Sequence, residues 1–285
     1  MIFALLGGDG RMARLARMLA EDGEEVRVFA LGEVPGAWSA PCAGACCAGA
    51  DCVVLPMPVA SEAGVLSSPA GGTYALDAVL DCVPKTAFLC GGRVDAETAS
   101  RAAAHGVRIR DYFAREEMTV GNAAATAEGA LELLIRETPV TLLGSRVLVL
   151  GFGRIGKLLA LRAREMGARV TVAARKPGDR AWVRALGMED TDFSALPETV
   201  GRFDALVNTV PAPVLPEELL ARTREDALIL DLASRPGGVD HAAAERLRRK
   251  AIWALGLPAE TAPETAARLI RESIFAMMEE ENGEN

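Results

Sequence analysis

The stretch RVLVLGFGRIGKLLALRAREMGARVTVAAR, residues 146–175, decides the fold. An apolar run, Arg146 to Leu150, feeds a glycine turn, and Ile155, Leu158, Leu159 and Ala163 then recur at helical spacing before Gly167 stops the helix. A second β-rich run follows and is read as ending near Arg175. Strand, turn, helix, strand is the opening unit of a doubly wound parallel sheet, and in that context Gly151-Phe152-Gly153-Arg154-Ile155-Gly156 is a dinucleotide fingerprint. Gly151 permits the tight turn, Gly153 admits a pyrophosphate to the backbone, and Gly156 lets helix pack on strand. Arg154 and Ile155 start the helix whose free N–H groups face the anion.

The same pattern occurs earlier in the chain. LLGGDGRMARLARMLAEDGEEVRVF, residues 5–29, superposes without a gap at an offset of 144 residues, placing Gly7 on Gly151, Gly23 on Gly167, Val26 on Val170 and Val28 on Val172. The chain therefore reads as α/β, with two Rossmann-like doubly wound parallel-sheet domains. The first copy has Asp9 and Met12 where the second and third glycines stand. A carboxylate at that helix start takes the positive end of the helix for itself and repels a phosphate. One dinucleotide site is expected, in the second copy, and the first domain is left to the substrate side.

Working outward, residues 203–211 (FDALVNTVP) form a buried strand whose end, Asn208-Thr209-Val210-Pro211, falls at the carboxyl edge where cofactors bind. A further strand, Ala227 to Asp231, opens into Leu232-Ala233-Ser234-Arg235-Pro236-Gly237-Gly238, where Arg235 is an anion receptor. At the end of the second strand of the fingerprint unit no acid is available for a ribose hydroxyl. Arg175 and Lys176 stand there instead, so NADP is favoured over NAD. Asn122 opens a helix read to about Glu137, and Pro263 to Glu281 forms a second, amphipathic helix that packs back on the first domain and ends in a solvated, frayed Glu279-Glu280-Glu281 tail. The expected organisation is a substrate-side domain over 1–120, a linker helix over 121–138, an NAD(P)-binding domain over 139–260, and the C-terminal helix and acidic tail over 261–285.

Composition narrows the classes further. With 31 basic and 39 acidic residues the net charge is −8, and the cations are scattered, so a nucleic-acid partner is not expected. No run approaches the length of a membrane span, and the N-terminus lacks a secretory pattern; a cytoplasmic protein is expected. The six cysteines contain no CxxC pair, and four crowd into residues 42–52 without a histidine, so no metal site is expected.

Three segments, NAAATAEGALELL (122–134), GFGRIGKLL (151–159) and SRPGGVDHAAAERL (234–247), resemble the interdomain helix, cofactor loop and substrate-arginine loop of D-2-hydroxyacid dehydrogenases. A narrower resemblance, along nearly the whole chain, is to the A subunits of dipicolinate synthase. It rests on GGDGR (7–11), TAEGA (126–130), ILDLASRPGG (229–238) and GLPAETAPETA (256–266). That resemblance implies NAD(P)-dependent oxidation of a dihydrodipicolinate-type precursor to pyridine-2,6-dicarboxylate during sporulation, in the mother cell. The partner it implies is a flavoprotein-like B subunit, in a hetero-oligomer that can include a second copy of the chain. The alternatives are a 2-hydroxyacid or amino-acid dehydrogenase, or a non-catalytic nucleotide-dependent sensor or scaffold.

The hydroxyacid dehydrogenases need a histidine base, and residues 256–263 contain none; His105 and His241 are read as helix-surface residues away from the strand-end loops. A dihydropyridine becomes aromatic on losing hydride and proton, so the protein's main task is to position its carboxylates. Arg235 is assigned to one carboxylate, with Ser234 and Thr126 as neighbours. Arg11 and Ser61 are candidates for the other, and Glu128 is a candidate to take the proton or to bond the Arg235 loop.

Overall fold

The computed structural model describes residues 1–61, 63–68 and 72–283. The chain divides into two compact units, Met1–Asn122 with Ala262–Asn285, and Ala123–Thr261.

In the first unit the strands are β1 (Ile2–Leu6), β2 (Glu25–Phe29), β3 (Trp38–Ser39), β4 (Cys52–Val54), β5 (Val65–Leu66), β6 (Tyr74–Ala75), β7 (Phe88–Gly91) and β8 (Ile109–Asp111). Six of them form a parallel sheet in the order β3-β2-β1-β4-β7-β8, and β5 pairs antiparallel with β6. The second unit contains β9 (Arg146–Leu150), β10 (Arg169–Ala173), β11 (Glu189–Thr191), β12 (Ala205–Asn208), β13 (Leu228–Asp231) and β14 (Lys250–Trp253). Its sheet is also parallel, ordered β11-β10-β9-β12-β13-β14. Numbered within each six-stranded sheet, both run 3-2-1-4-5-6, the doubly wound order whose ligands lie at the carboxyl edge where the winding reverses.

The duplication holds in register. β9 and β10 start 144 residues after β1 and β2, and helix Arg154–Glu165 starts 144 residues after helix Gly10–Glu21. Each sheet is covered on both faces, so β1 and β9 bury apolar side chains on both. Along β1, Phe3 and Leu5 face one core while Ala4 and Leu6 face the other. Along β9, Val147 and Val149 alternate with Leu148 and Leu150 in the same way.

The C-terminal helix, Pro263–Gly283, buries Ala267, Ile270 and Ile274 in the core that holds Phe3, Leu15 and Leu19 of the first unit. Its terminal glutamates are not a frayed tail. The helix runs to Gly283, and in its last turns Glu280 pairs with Arg115 and Glu281 with Arg110. The linker helix also extends further than the sequence suggested, over Glu116–Glu137. Glu116 and Glu117 occupy its first turn, where carboxylates are favoured by the helix dipole. Cys46, Cys47, Cys52 and Cys90 are buried, and burial pushes the Cys46 and Cys47 thiols up to about 12, so both stay protonated. Among the described residues no helix is long and apolar enough to cross a membrane.

Candidate functional site

The two glycine turns stand at equivalent places but part at their second residue, where Gly8 has φ +115° and its counterpart Phe152 has no positive φ. In the second unit Gly151 has φ +98°, and a side chain there would strike Thr209 Oγ1 at 2.6 Å. A Cβ on Gly156 would come within 2.3 Å of the Gly151 carbonyl oxygen, so helix and turn touch backbone to backbone. A Cβ on Gly153 would meet nothing within 4 Å. That glycine is the N-cap of helix Arg154–Glu165, which has no side-chain cap and no acid in its first turn. The helix start is thus an unfilled cradle of N–H donors at the positive end of a dipole, and it fits the pyrophosphate of a dinucleotide.

The first unit fills its own cradle. Asp9 is the N-cap of helix Gly10–Glu21 and accepts from Arg11 N at 3.0 Å. A Cβ on Gly8 would meet Met12 Cγ at 2.3 Å, and the Gly8 N–H donates to the Ser67 carbonyl at 2.7 Å. Arg11 grips Asp9 through Nε and Nη2 at 2.7–3.2 Å and donates to the Met57 carbonyl at 2.9 Å. Partial burial pushes the Asp9 carboxyl up, but the bonds from Arg11 outweigh it and hold the group below its usual range. Arg11 is largely buried and its charge is met by Asp9, which weakens it as a receptor for a second carboxylate. Ser61 is exposed in a turn closed by Ser61 N to Val65 O and Gly64 N to Ser61 O.

The remaining cofactor-side candidates follow β10 and β12. β10 ends at Ala173, two residues short of Arg175, and Ala174 N extends its ladder to the Thr191 carbonyl of β11 before the chain leaves the sheet. Arg175 and Lys176 are exposed, and neither side chain makes a hydrogen bond or ion pair among the described residues; Lys176 is the N-cap of helix Pro177–Ala185, and its carbonyl accepts from Arg180 N. Thr209 Oγ1 donates to the Leu150 carbonyl at 2.9 Å and lies against the glycine turn. Asn208 cannot touch a ligand with its side chain, which is wholly buried. Its Nδ2 donates to Val210 O and to Asp231, and its Oδ1 accepts from Val210 N, so it shapes the 208–211 turn instead. Val210 is half-buried and Pro211 is exposed.

Asp231 is the residue the sequence reading passed over. Its carboxylate has no exposure and accepts from Asn208 Nδ2 (2.8 Å), Ala233 N (3.1 Å), Gly238 N (2.8 Å) and Val239 N (3.1 Å). Four N–H donors satisfy its buried oxygens and fold the 232–239 loop around them. The signal was present, since an acid ending the apolar run ILD ahead of a glycine-rich loop has no apolar reason to be there. His241 corrects the reading more directly. It does adjoin a strand-end loop, with Nε2 3.6 Å from Asp231 Oδ2 and its ring stacked on Trp253 at 5.2 Å. His105 instead pairs with Asp77 and Asp81.

Arg235 is exposed on this loop, with its guanidinium over the Trp253 ring at 5.5 Å, and Ser234 beside it is half-buried. Thr126 is buried on the linker helix. Glu128 pairs with Arg162 at 3.4 Å, and Arg162 also donates to the Ala124 carbonyl. The Glu128 carboxylate is thereby engaged by a cation, and that partner is not the Arg235 loop.

Comparison with known proteins gives the same division of the chain. Residues 2–113 match the family model for the N-terminal domain of the dipicolinate synthase A subunit, and residues 123–259 match the NAD-binding domain of D-isomer-specific 2-hydroxyacid dehydrogenases. The dipicolinate synthase A subunit of Bacillus subtilis is 30% identical over 97% of this chain and 95% of its own length. The crystal structure of the Bacillus halodurans A subunit superposes with a TM-score of 0.88 at 26% identity, covering 97% of each chain. That of the Bacillus subtilis protein superposes with a TM-score of 0.85 at 30% identity, covering 100% of this chain and 98% of that one.

Proposed function

Because the chain belongs to the family of dipicolinate synthase A subunits, we propose that it takes NADP in its second unit and oxidises a dihydrodipicolinate-type ring to pyridine-2,6-dicarboxylate, working with a second subunit. The observation that carries the cofactor half is the open cradle at Gly153, beside a helix start without cap or acid. Gly151, Gly153, Arg154, Ile155 and Gly156 would hold the pyrophosphate. Thr209, Val210 and Pro211 would line the neighbouring strand end, while Arg175 and Lys176 would meet a 2′-phosphate. When bound, a nicotinamide supplies a two-electron hydride acceptor.

The chain's own residues then bind and orient. Arg235 receives one substrate carboxylate as a paired, charge-assisted contact, with Ser234 beside it on the loop. Asp231 and Asn208 keep that loop in one shape, so the arginine is presented without reorganisation. Loss of hydride and proton leaves an aromatic ring, which lowers the demand on a protein base. The absence of a histidine from residues 256–263 accords with that chemistry.

The test is to supply NADP and dihydrodipicolinate to the purified chain, with and without its partner, and to follow the near-ultraviolet absorbance of the reduced nicotinamide. A rise with dihydrodipicolinate, and none with simple 2-hydroxy or 2-amino acids, is expected. A rise only with the simple acids would replace this assignment with a hydroxyacid or amino-acid dehydrogenase.

A further inference from the structure

We propose that Trp253 is a positioning residue for Arg235 and so sets the chain's affinity for a dicarboxylated ring; this rests on the assignment of Arg235 to a substrate carboxylate. Trp253 ends β14 and lies opposite Asp231 in the strand register. An indole at a strand end needs a partner for its N–H, and Trp253 finds one in the loop itself, donating from Nε1 to the Ala233 carbonyl at 2.9 Å. Its ring packs on Gly237, where a Cβ would come within 3.0 Å of Cζ2. The His241 ring is stacked on it at an interplanar angle of 14°. Ala233, Gly237 and His241, at the two sides and the end of the loop, are all referenced to one indole.

Arg235 extends from the middle of that loop. It makes no hydrogen bond or ion pair among the described residues, and its guanidinium carbon lies 5.5 Å from the Trp253 ring centroid. A cation over an aromatic face is attracted to it, and the N–H donors at its edge stay available to a carboxylate. An arginine already held in this way gives up less side-chain freedom when it clamps an anion. Neither Trp253 nor His241 belongs to the glycine turn, so the effect falls on the dicarboxylate and not on the dinucleotide.

The probe is pyridine-2,6-dicarboxylate, titrated into full-length protein carrying W38F and W182F, which leaves Trp253 as the sole tryptophan; both replaced residues are exposed. Its emission should change saturably on titration. In otherwise native protein, Trp253→Leu should raise Kd for the probe, read by calorimetric titration, and KM for the substrate by roughly three- to tenfold. NADP affinity should not change, kcat should stay within about twofold, and Trp253→Phe should recover most of the loss because it keeps an aromatic face. Unchanged probe affinity in Trp253→Leu, equal loss of NADP affinity, or no recovery in Trp253→Phe would each overturn the positioning role alone. A native protein that binds NADP but not pyridine-2,6-dicarboxylate would overturn the assignment of Arg235 and this inference with it.

Discussion

At the scale of single residues, charge placement decides which ligand each unit can take. Arg175 and Lys176 offer cations and no acceptor after β10, so NADP should bind more tightly than NAD by roughly tenfold to a hundredfold, and Arg175→Asp should reverse the order. Dissociation constants for both cofactors on both proteins check this, and added salt should narrow the native preference. Arg235→Ala should weaken pyridine-2,6-dicarboxylate by ~1.5–3 kcal/mol and leave NADP affinity near its native value, measured by calorimetric titration of each ligand. Asp9 works on its own helix. Its folded pKa is lowered, so its contribution to stability is fully present above the ordinary carboxylate value and is lost as pH falls through the folded value. Asp9→Ala should therefore cost ~0.5–2 kcal/mol near neutral pH, and the gap should close in strong acid, read by chemical denaturation across pH.

At the scale of elements, the helices are held by what their apolar faces meet. The C-terminal helix docks Ile270 and Ile274 against the first unit and adds ion pairs from Glu264 to Arg14 and Arg17 and from Arg271 to Asp22. Since exposed pairs contribute little, Ile274→Ala should cost ~2–5 kcal/mol, far more than Arg271→Ala, in thermal or urea denaturation. Strand and helix existence was legible in the sequence because apolar periodicity and glycine stops are local signals. β9, the fingerprint helix and the C-terminal helix could be read that way. The early start of the linker helix at Glu116 was not, since Thr119, Val120 and Gly121 are poor helix formers and Met118 alone of the added residues is fully buried. The Asp231 network escaped for a different reason. Its four donors come from Asn208 at the end of β12 and from Ala233, Gly238 and Val239 on the loop after β13, which only the folded sheet brings together. His241 was placed away from the site because sequence position fixes which helix it starts, not that its ring turns back onto Trp253.

At the scale of the whole molecule, one βαβ plan is used twice and only the second copy keeps its anion cradle open. Asp9, Met12 and the Ser67 carbonyl occupy the first copy from within the chain. The duplication was visible from the gapless offset, and so was the loss of the first cradle, because both depend on residue types at fixed spacing. Under the proposed function the substrate has two carboxylates, and Arg235, on a loop braced by Asp231, is offered to one of them from the second unit. Under that function this chain, with its partner, would couple reduction of NADP to aromatisation of the substrate. The most direct measurement quantifies both products of one reaction, reduced cofactor by absorbance and pyridine-2,6-dicarboxylate by chromatography. Equal amounts of the two, both abolished when Gly153 is replaced by Asp to close the cradle, is the result expected. Pyridine-2,6-dicarboxylate formed without reduced cofactor, or formed undiminished by the Gly153 variant, would mean that the glycine turn of the second unit does not carry the oxidation.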